Sequence, residues 1–155
     1  MIDVEGLYKT HGTLVLRRAR TLLGNEHDAQ EALQEVFAQL LRSPAGVRSA
    51  PSMISWLYQS TTHYCLNQLR NRRTAARLLE QRPAPEPAGP RAEALLEVRS
   101  LLTRMEPQAA AAVIYHHLDG MTFTEVAGIL GCSRRQVGYL LERAQQALQH
   151  MERSA

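Results

Sequence analysis

Apolar positions in the first half of the chain recur at helical spacing. Between His27 and Leu41 they fall at Ala29, Leu33, Val36, Phe37 and Leu40, a pattern that lines one face of a helix. The opposite face carries Asp28, Gln30, Glu31, Gln34 and Glu35. A preceding helix is predicted over Val4–Leu23, with Leu7, Val15 and Leu22 on its inner side and Gly24-Asn25 as its stop. Ser43 to Pro51 holds Gly46 and two prolines and is predicted as a loop. A third helix is predicted from Ser52 to Arg77, with Ile54, Leu57, Thr61, Cys65 and Leu69 inward and a basic end at Arg70, Arg72, Arg73 and Arg77.

The second half divides into four predicted helices, Ala92–Met105, Pro107–His117, Thr122–Leu130 and Ser133–Met151. Thr122 with Glu125 has the spacing of a capping box, and Ser133 is placed to cap the last helix. Between the halves, RPAPEPAGPR (Arg82 to Arg91) contains four of the seven prolines. Proline removes a donor and clashes with the preceding turn, so no helix crosses this stretch. The predicted architecture is therefore all-α, with two small helical domains at 1–77 and 92–155 and a linker over 78–91.

Composition agrees with helices: aromatic residues are 5% of the 155, and Ala, Leu, Arg and Gln are abundant. The basic residues are seventeen Arg and the single Lys9. Arg forms bidentate contacts to phosphate and guanine, whereas the net charge of +3 is too mild to indicate a partner by itself. Two distant cysteines, Cys65 and Cys132, make neither a metal site nor a disulfide framework, and they fit a reducing, cytoplasmic compartment. The start of the chain lacks the charge and apolar pattern of a signal peptide. The longest apolar run, Ala109 to Tyr115, is far short of the roughly 20 residues a membrane helix needs, so no membrane insertion is expected. The six histidines are scattered, and no phosphate loop, nucleophile elbow or HExxH occurs. Neither catalytic residues, nor a metal site, nor a cofactor is expected, and an enzyme is disfavoured.

The sharpest local pattern is FTEVAGILGCSRRQVGYLLE, Phe123 to Glu142. Ala127 is small enough for a second helix to cross closely, Gly131 sits at the sharp turn, and Val137 begins an inner stripe with Leu141, Ala144 and Leu148. Arg134, Arg135, Gln136, Tyr139 and Arg143 occupy the other face. Such a helix-turn-helix suits major-groove DNA. An αα-hairpin with a solvated basic face is the plainer alternative.

Taken together, three segments resemble the extracytoplasmic-function group of bacterial sigma-70 factors. HDAQEALQEVFAQLL (His27 to Leu41) looks like region 2.2, SWLYQSTTHYCLNQLRNRR (Ser55 to Arg73) like regions 2.3 and 2.4, and Met105 to Leu148 like region 4. The resemblance implies that Asp28, Gln30, Glu31, Gln34 and Glu35 dock on the clamp helices of the polymerase β′ subunit, with the β subunit a further core contact. It implies that Trp56, Tyr58, Gln59, Thr62, His63, Asn67, Arg70, Arg72 and Arg73 engage an opened −10 element, and that Arg134, Arg135, Gln136, Tyr139 and Arg143 read the −35 element. Promoter DNA, core RNA polymerase and an anti-sigma factor are the implied partners. For Trp56 and Tyr64 a core role competes with DNA contact. His63 stands where the family commonly has Asn, and Asn67 where Asp is common. Gly138 replaces a frequent Lys and Leu140 a frequent Arg, which would remove two usual DNA contacts. The alternative function is a helix-turn-helix regulator, or a sigma-like interaction protein, that does not itself direct initiation.

Overall fold

A computed structural model of the chain describes residues 3–78 and 89–154. Short polar side chains set the helix starts. Asp3 accepts from the Gly6 amide at 3.0 Å and opens α1 (Val4–Leu23), which stops at Gly24 in the left-handed region, φ +81°. Only glycine adopts that conformation without a Cβ penalty. Asn25 then accepts from the Asp28 amide at 2.8 Å and opens α2 (Glu26–Arg42). Arg20 at the end of α1 grips Glu26 through two hydrogen bonds, and these hold the Glu26 carboxyl down at about 2. The α1–α2 hairpin is therefore tied at its corner by a cap, a left-handed glycine and a bidentate pair.

The segment after α2 is not wholly a loop. Pro44 starts a short helix, α3 (Ala45–Ser49), since its fixed φ suits a first turn. The long α4 (Met53–Leu78) follows, with Ser52 accepting from the Ser55 amide at 3.1 Å. Leu57, Thr61, Cys65 and Leu69 face inward as their spacing predicts, but Ile54 is 45% exposed, and the start of α4 is buried instead through Ser55 and Trp56. A first core joins Val15, Leu33, Val36, Phe37, Leu40, Trp56 and Leu57 from α1, α2 and α4.

Most of the proline-rich linker, residues 79–88, lies outside the described residues. Its C-terminal end is helical: α5 (Pro90–Thr103) begins with proline in its first turn, two residues earlier than predicted. Next come α6 (Pro107–Val113), a π-helical turn (Ile114–Leu118), α7 (Phe123–Leu130) and α8 (Arg134–Ser154). The predicted α-helix through His117 is thus replaced after Val113 by a wider turn, closed by the Asp119 amide on the Ile114 carbonyl at 3.0 Å.

The two halves do not keep separate cores. Cys65, Leu66 and Leu69 of α4, with Leu22, Leu23 and Ala29, belong to one buried cluster that continues through Leu102, Met105, Ala111, Tyr115, Val126, Val137 and Leu140. Polar ties run across the same boundary. Arg99 of α5 donates to the Thr21 carbonyl at 3.0 Å, and Arg18 of α1 pairs with Asp119 just past the π turn.

Candidate nucleic-acid interface

The helix-turn-helix is assembled as its residues predict. Thr122 accepts from the Glu125 amide at 3.1 Å while the Glu125 carboxylate accepts from the Thr122 amide at 3.2 Å, so two free helix-end donors are satisfied. Gly131 turns the chain at φ +69° and donates to the Ala127 carbonyl. Ser133 caps α8 by accepting from the Gln136 amide at 3.0 Å. Val137 is fully buried and Ala144 nearly so, while Leu141 and Leu148 are half-buried.

On the outer face of α8, Arg134, Arg135, Tyr139 and Arg143 are exposed and Gln136 is half-buried. Arg135 donates to the Tyr139 hydroxyl at 2.9 Å and lies over that ring, so the two form one flat, preorganised unit. Arg143 reaches Glu106 at 3.3 Å. Leu140 is 1% exposed and sits beside Val137 and Ala144 on the inner line of α8. The Leu140 side chain therefore belongs to the buried side of α8 and not to the exposed face that carries Arg134, Arg135 and Tyr139. Leu140 thus serves the core of the helix-turn-helix in this chain. Gly138 lies on the flank of α8 beside Phe123, where an added Cβ would stand 3.8 Å from the ring, an ordinary contact.

The candidate residues on α4 fall into two groups. His63 and Asn67 are exposed. The others, Arg73 apart, are engaged within the protein. Trp56 is 7% exposed and packs in the first core, as the core reading of that residue requires. Thr62 is buried, with its hydroxyl 2.9 Å from the Tyr115 hydroxyl. Gln59 donates to the Ile129 carbonyl at 2.7 Å. Arg70 approaches the Met105 carbonyl at 3.4 Å, and Arg72 donates to the Leu23 carbonyl at 2.8 Å and pairs with Asp28. Arg73 is half-buried near Arg77 and Arg104, and desolvation first, then those two cations, lower its pKa. Tyr64 is half-buried, and burial raises its pKa.

On α2, Gln30, Glu31 and Gln34 are exposed. Glu35 pairs with Arg42 at 2.6 Å, and Asp28 is held by Asn25 and Arg72, which keep its carboxyl below the usual range. His27, Asp28 and Glu31 bring ligand-type atoms within 4.8 Å of one another, but Asp28 is already committed to Asn25 and Arg72, and His27 to Glu31. Leu41, seven residues after Gln34 and so on its side of the helix, is 67% exposed. Sequence reasoning missed it, although an apolar residue off the inner stripe was the available signal. Ser55, Tyr115, Arg18 and Asp119 were missed as well. Each meets a partner more than fifty residues away and carries no local signature.

Comparison with known proteins identifies the frame. Residues 7–75 match the Sigma-70 region 2 family and residues 95–148 the Sigma-70 region 4 family. Relatives include the ECF RNA polymerase sigma factor SigE of Mycolicibacterium smegmatis, 28% identical over 153 residues, covering 93% of this chain and 59% of the relative. The ECF RNA polymerase sigma factor SigM of Mycobacterium tuberculosis is 25% identical over 146 residues, covering 93% of this chain and 74% of the relative. The chain thus spans 59% of the length of the first of these relatives. Among solved structures, the sigma factor RpoE in complex with the anti-sigma factor NepR from Bartonella quintana superposes with a TM-score of 0.57 at 16% identity, covering 99% of this chain and 98% of that one. CnrH in complex with the cytosolic domain of CnrY gives 0.52 at 22%, covering 97% and 88%. At those identities the likeness to the structures establishes the fold. The chain belongs to the sigma-70 family of RNA polymerase sigma factors, in its extracytoplasmic-function group. Among the described residues no helix is long and apolar enough to cross a membrane.

Proposed function

We propose that this chain binds core RNA polymerase and directs it to promoters. The polar face of α2 — Asp28, Gln30, Glu31, Gln34 and Glu35, extended by Leu41 — is the surface assigned to the β′ clamp helices. Its acids and amides suit a basic partner, and the exposed leucine adds the apolar contact that a lasting interface needs. The −10 element is assigned to α4 and the loop before it, through Gln59, Thr62, His63, Asn67, Arg70, Arg72 and Arg73, with Trp56 supporting that loop from the core. The −35 element is assigned to α8, through Arg134, Arg135, Gln136, Tyr139 and Arg143. An anti-sigma factor is the proposed regulator, on the likeness to the sigma factor RpoE solved in complex with the anti-sigma factor NepR.

The observation that carries this reading is the match of both promoter-reading regions, in order, in one chain whose α8 presents an open arginine face. The test is run-off transcription by purified core polymerase on a genomic promoter pool, with and without the chain. Specific transcripts that vanish when Arg134 and Arg135 are both changed to Ala are expected. Binding to core without any transcript would favour a sigma-like interaction protein. Failure to bind core at micromolar concentration would favour an independent DNA-binding regulator.

A further inference from the structure

We infer that α8 reads one guanine of its duplex site through Arg135, and that Tyr139 is the positioning residue that commits Arg135 to that base. The inference rests on the assignment of α8 to duplex DNA and names the base this face takes. It starts from how few side chains the face offers. From Arg134 to Leu141, only Arg134, Arg135 and Tyr139 are exposed. Val137 and Leu140 are buried, Gln136 and Leu141 are half-buried, and Gly138 carries no side chain. Ser133 caps the helix on the Gln136 amide at 3.0 Å, which places Arg134 and Arg135 in its first turn. The first turn of a recognition helix is the part that meets base edges in the major groove. Tyr139 follows one turn later, on the side of Arg135.

The arginines of this face differ in how they are held. Arg143 is paired with Glu106 at 3.3 Å, so part of its charge is answered within the protein. Among the described residues no hydrogen bond or ion pair holds the Arg134 side chain. Arg135 is held by a neutral group: its Nε donates to the Tyr139 hydroxyl at 2.9 Å, and its Cζ lies 5.7 Å from the centroid of that ring. Arg135 thus keeps its whole charge while losing much of its freedom. Ordering a long side chain is a cost that binding otherwise bears, and here the fold bears it beforehand.

The hydrogen bond also selects a geometry. A guanidinium has five N–H groups in a fixed plane. With Nε engaged, the side-on fork of Nε and one terminal nitrogen is closed. The end-on fork of the two terminal nitrogens remains. Its paired N–H groups match the O6 and N7 acceptors of guanine, whereas adenine presents a donor in place of O6. The Tyr139 hydroxyl, having accepted from Nε, still holds its own proton for an acceptor on the DNA. Arg134, unheld and adjacent, suits a phosphate, which fixes position and carries no sequence information.

The test presents the full-length chain, alone and with core polymerase, with a duplex pool randomised over about ten base pairs, one helical turn. Bound DNA is sequenced, and affinities for selected duplexes are measured by fluorescence anisotropy. The wild type is expected to prefer guanine at one position by about tenfold, equivalent to ~1.4 kcal/mol. Arg135→Lys, which keeps the charge and loses the fork, should abolish that preference. Tyr139→Phe, which keeps the ring and loses the hydroxyl, should reduce it several-fold while leaving preferences at other positions in place. 7-Deazaguanine at the selected position replaces the N7 acceptor with C–H, so it should weaken the wild type and weaken Tyr139→Phe much less. Arg134→Ala should weaken binding to all sequences alike and lower the salt dependence. Absence of a guanine preference that depends on Arg135, in both formats, overturns the guanine reader. A Tyr139→Phe variant that loses affinity equally on all sequences, with the guanine preference intact, overturns the positioning role. Guanine selection by the chain alone, without any binding to core polymerase, supports the reader and counts against the sigma reading.

Discussion

Gly131 and Gly120 form a natural pair of experiments. Both adopt left-handed backbone, at φ +69° and +71°. A Cβ at Gly120 would meet nothing within 4 Å, whereas one at Gly131 would stand 3.0 Å from Cγ of Pro51, across the boundary between the halves. Replacing either glycine with alanine incurs the left-handed penalty of about 1–2 kcal/mol. The stiffer unfolded chain offsets about 0.4–1 kcal/mol of that, which leaves a net loss of about 1 kcal/mol for Gly120→Ala. Gly131→Ala adds an overlap with a proline ring that cannot swing aside as a flexible side chain would. Overpacking of that kind costs about 1–3 kcal/mol, so a total of about 2–4 kcal/mol is expected. If the halves separate to relieve the overlap, the excess is capped by the free energy of their docking. Urea unfolding followed by helical circular dichroism gives both values from the linear dependence on denaturant. Pro51→Ala in the Gly131→Ala background should then recover the excess through the coupling of the two sites. Equal losses for the two glycine variants would refute the reasoning, because they would mean that α7's turn does not rest on Pro51 in solution.

Further outcomes follow from single residues. Leu140→Ala should destabilise the protein by about 2–5 kcal/mol through the cavity it leaves, measured by the same unfolding assay. A loss below about 0.5 kcal/mol, the range of ordinary surface changes, would return that side chain to the surface. Gly138→Ala should stabilise by about 0.5–1 kcal/mol, since the helix gains a better former and the added methyl meets Phe123 at an ordinary distance; a loss of stability would show a tighter approach than 3.8 Å. Cys65 is fully buried, and burial pushes its thiol up to about 12, whereas Cys132 is half-buried. Alkylation at pH 8 read by mass spectrometry should therefore modify Cys132 first and reach Cys65 only on unfolding, and equal rates would contradict the packing around Cys65. The Glu26 carboxyl is depressed from 4.5 to about 2, chiefly by its hydrogen bond to Arg20. A depressed acid stabilises the fold above its unfolded value, and that contribution is lost as pH falls from 4.5 towards 2. The acid limb of a melting-temperature profile should accordingly flatten in Glu26→Gln, and an unaltered limb would show the pair to be silent.

Local chemistry was legible in the sequence wherever a residue acts on near neighbours. Gly24, the Thr122–Glu125 box, Gly131 and Ser133 each do their work within four positions, so spacing alone announces them. The inner stripes of α2 and α8 were legible for the same reason, apart from Leu140, which was misjudged because α8 buries a wider face than the stripe from Val137 to Leu148 suggested. Long-range pairing was not legible. Nothing near Gln59 or Ser55 states that their partners are carbonyls about seventy residues away. The π turn was hidden because a run of alanines followed by Val113, Ile114 and Tyr115 fits an α-helix equally well, and the partners that Tyr115 and Asp119 meet lie on the other half. Of the candidate site, the residue types were readable, and the fact that several of them already hold partners was not.

The near-exclusive use of arginine has a practical side. The cations assigned to DNA on the outer face of α8, Arg134, Arg135 and Arg143, are all guanidinium groups, whose planar fork suits phosphate and guanine. The same choice leaves amine chemistry a single side-chain address. Lys9, three-quarters exposed on α1 and paired with Glu5 one turn away, can take a fluorophore, a tether or an acetyl group without touching a residue assigned to either DNA element.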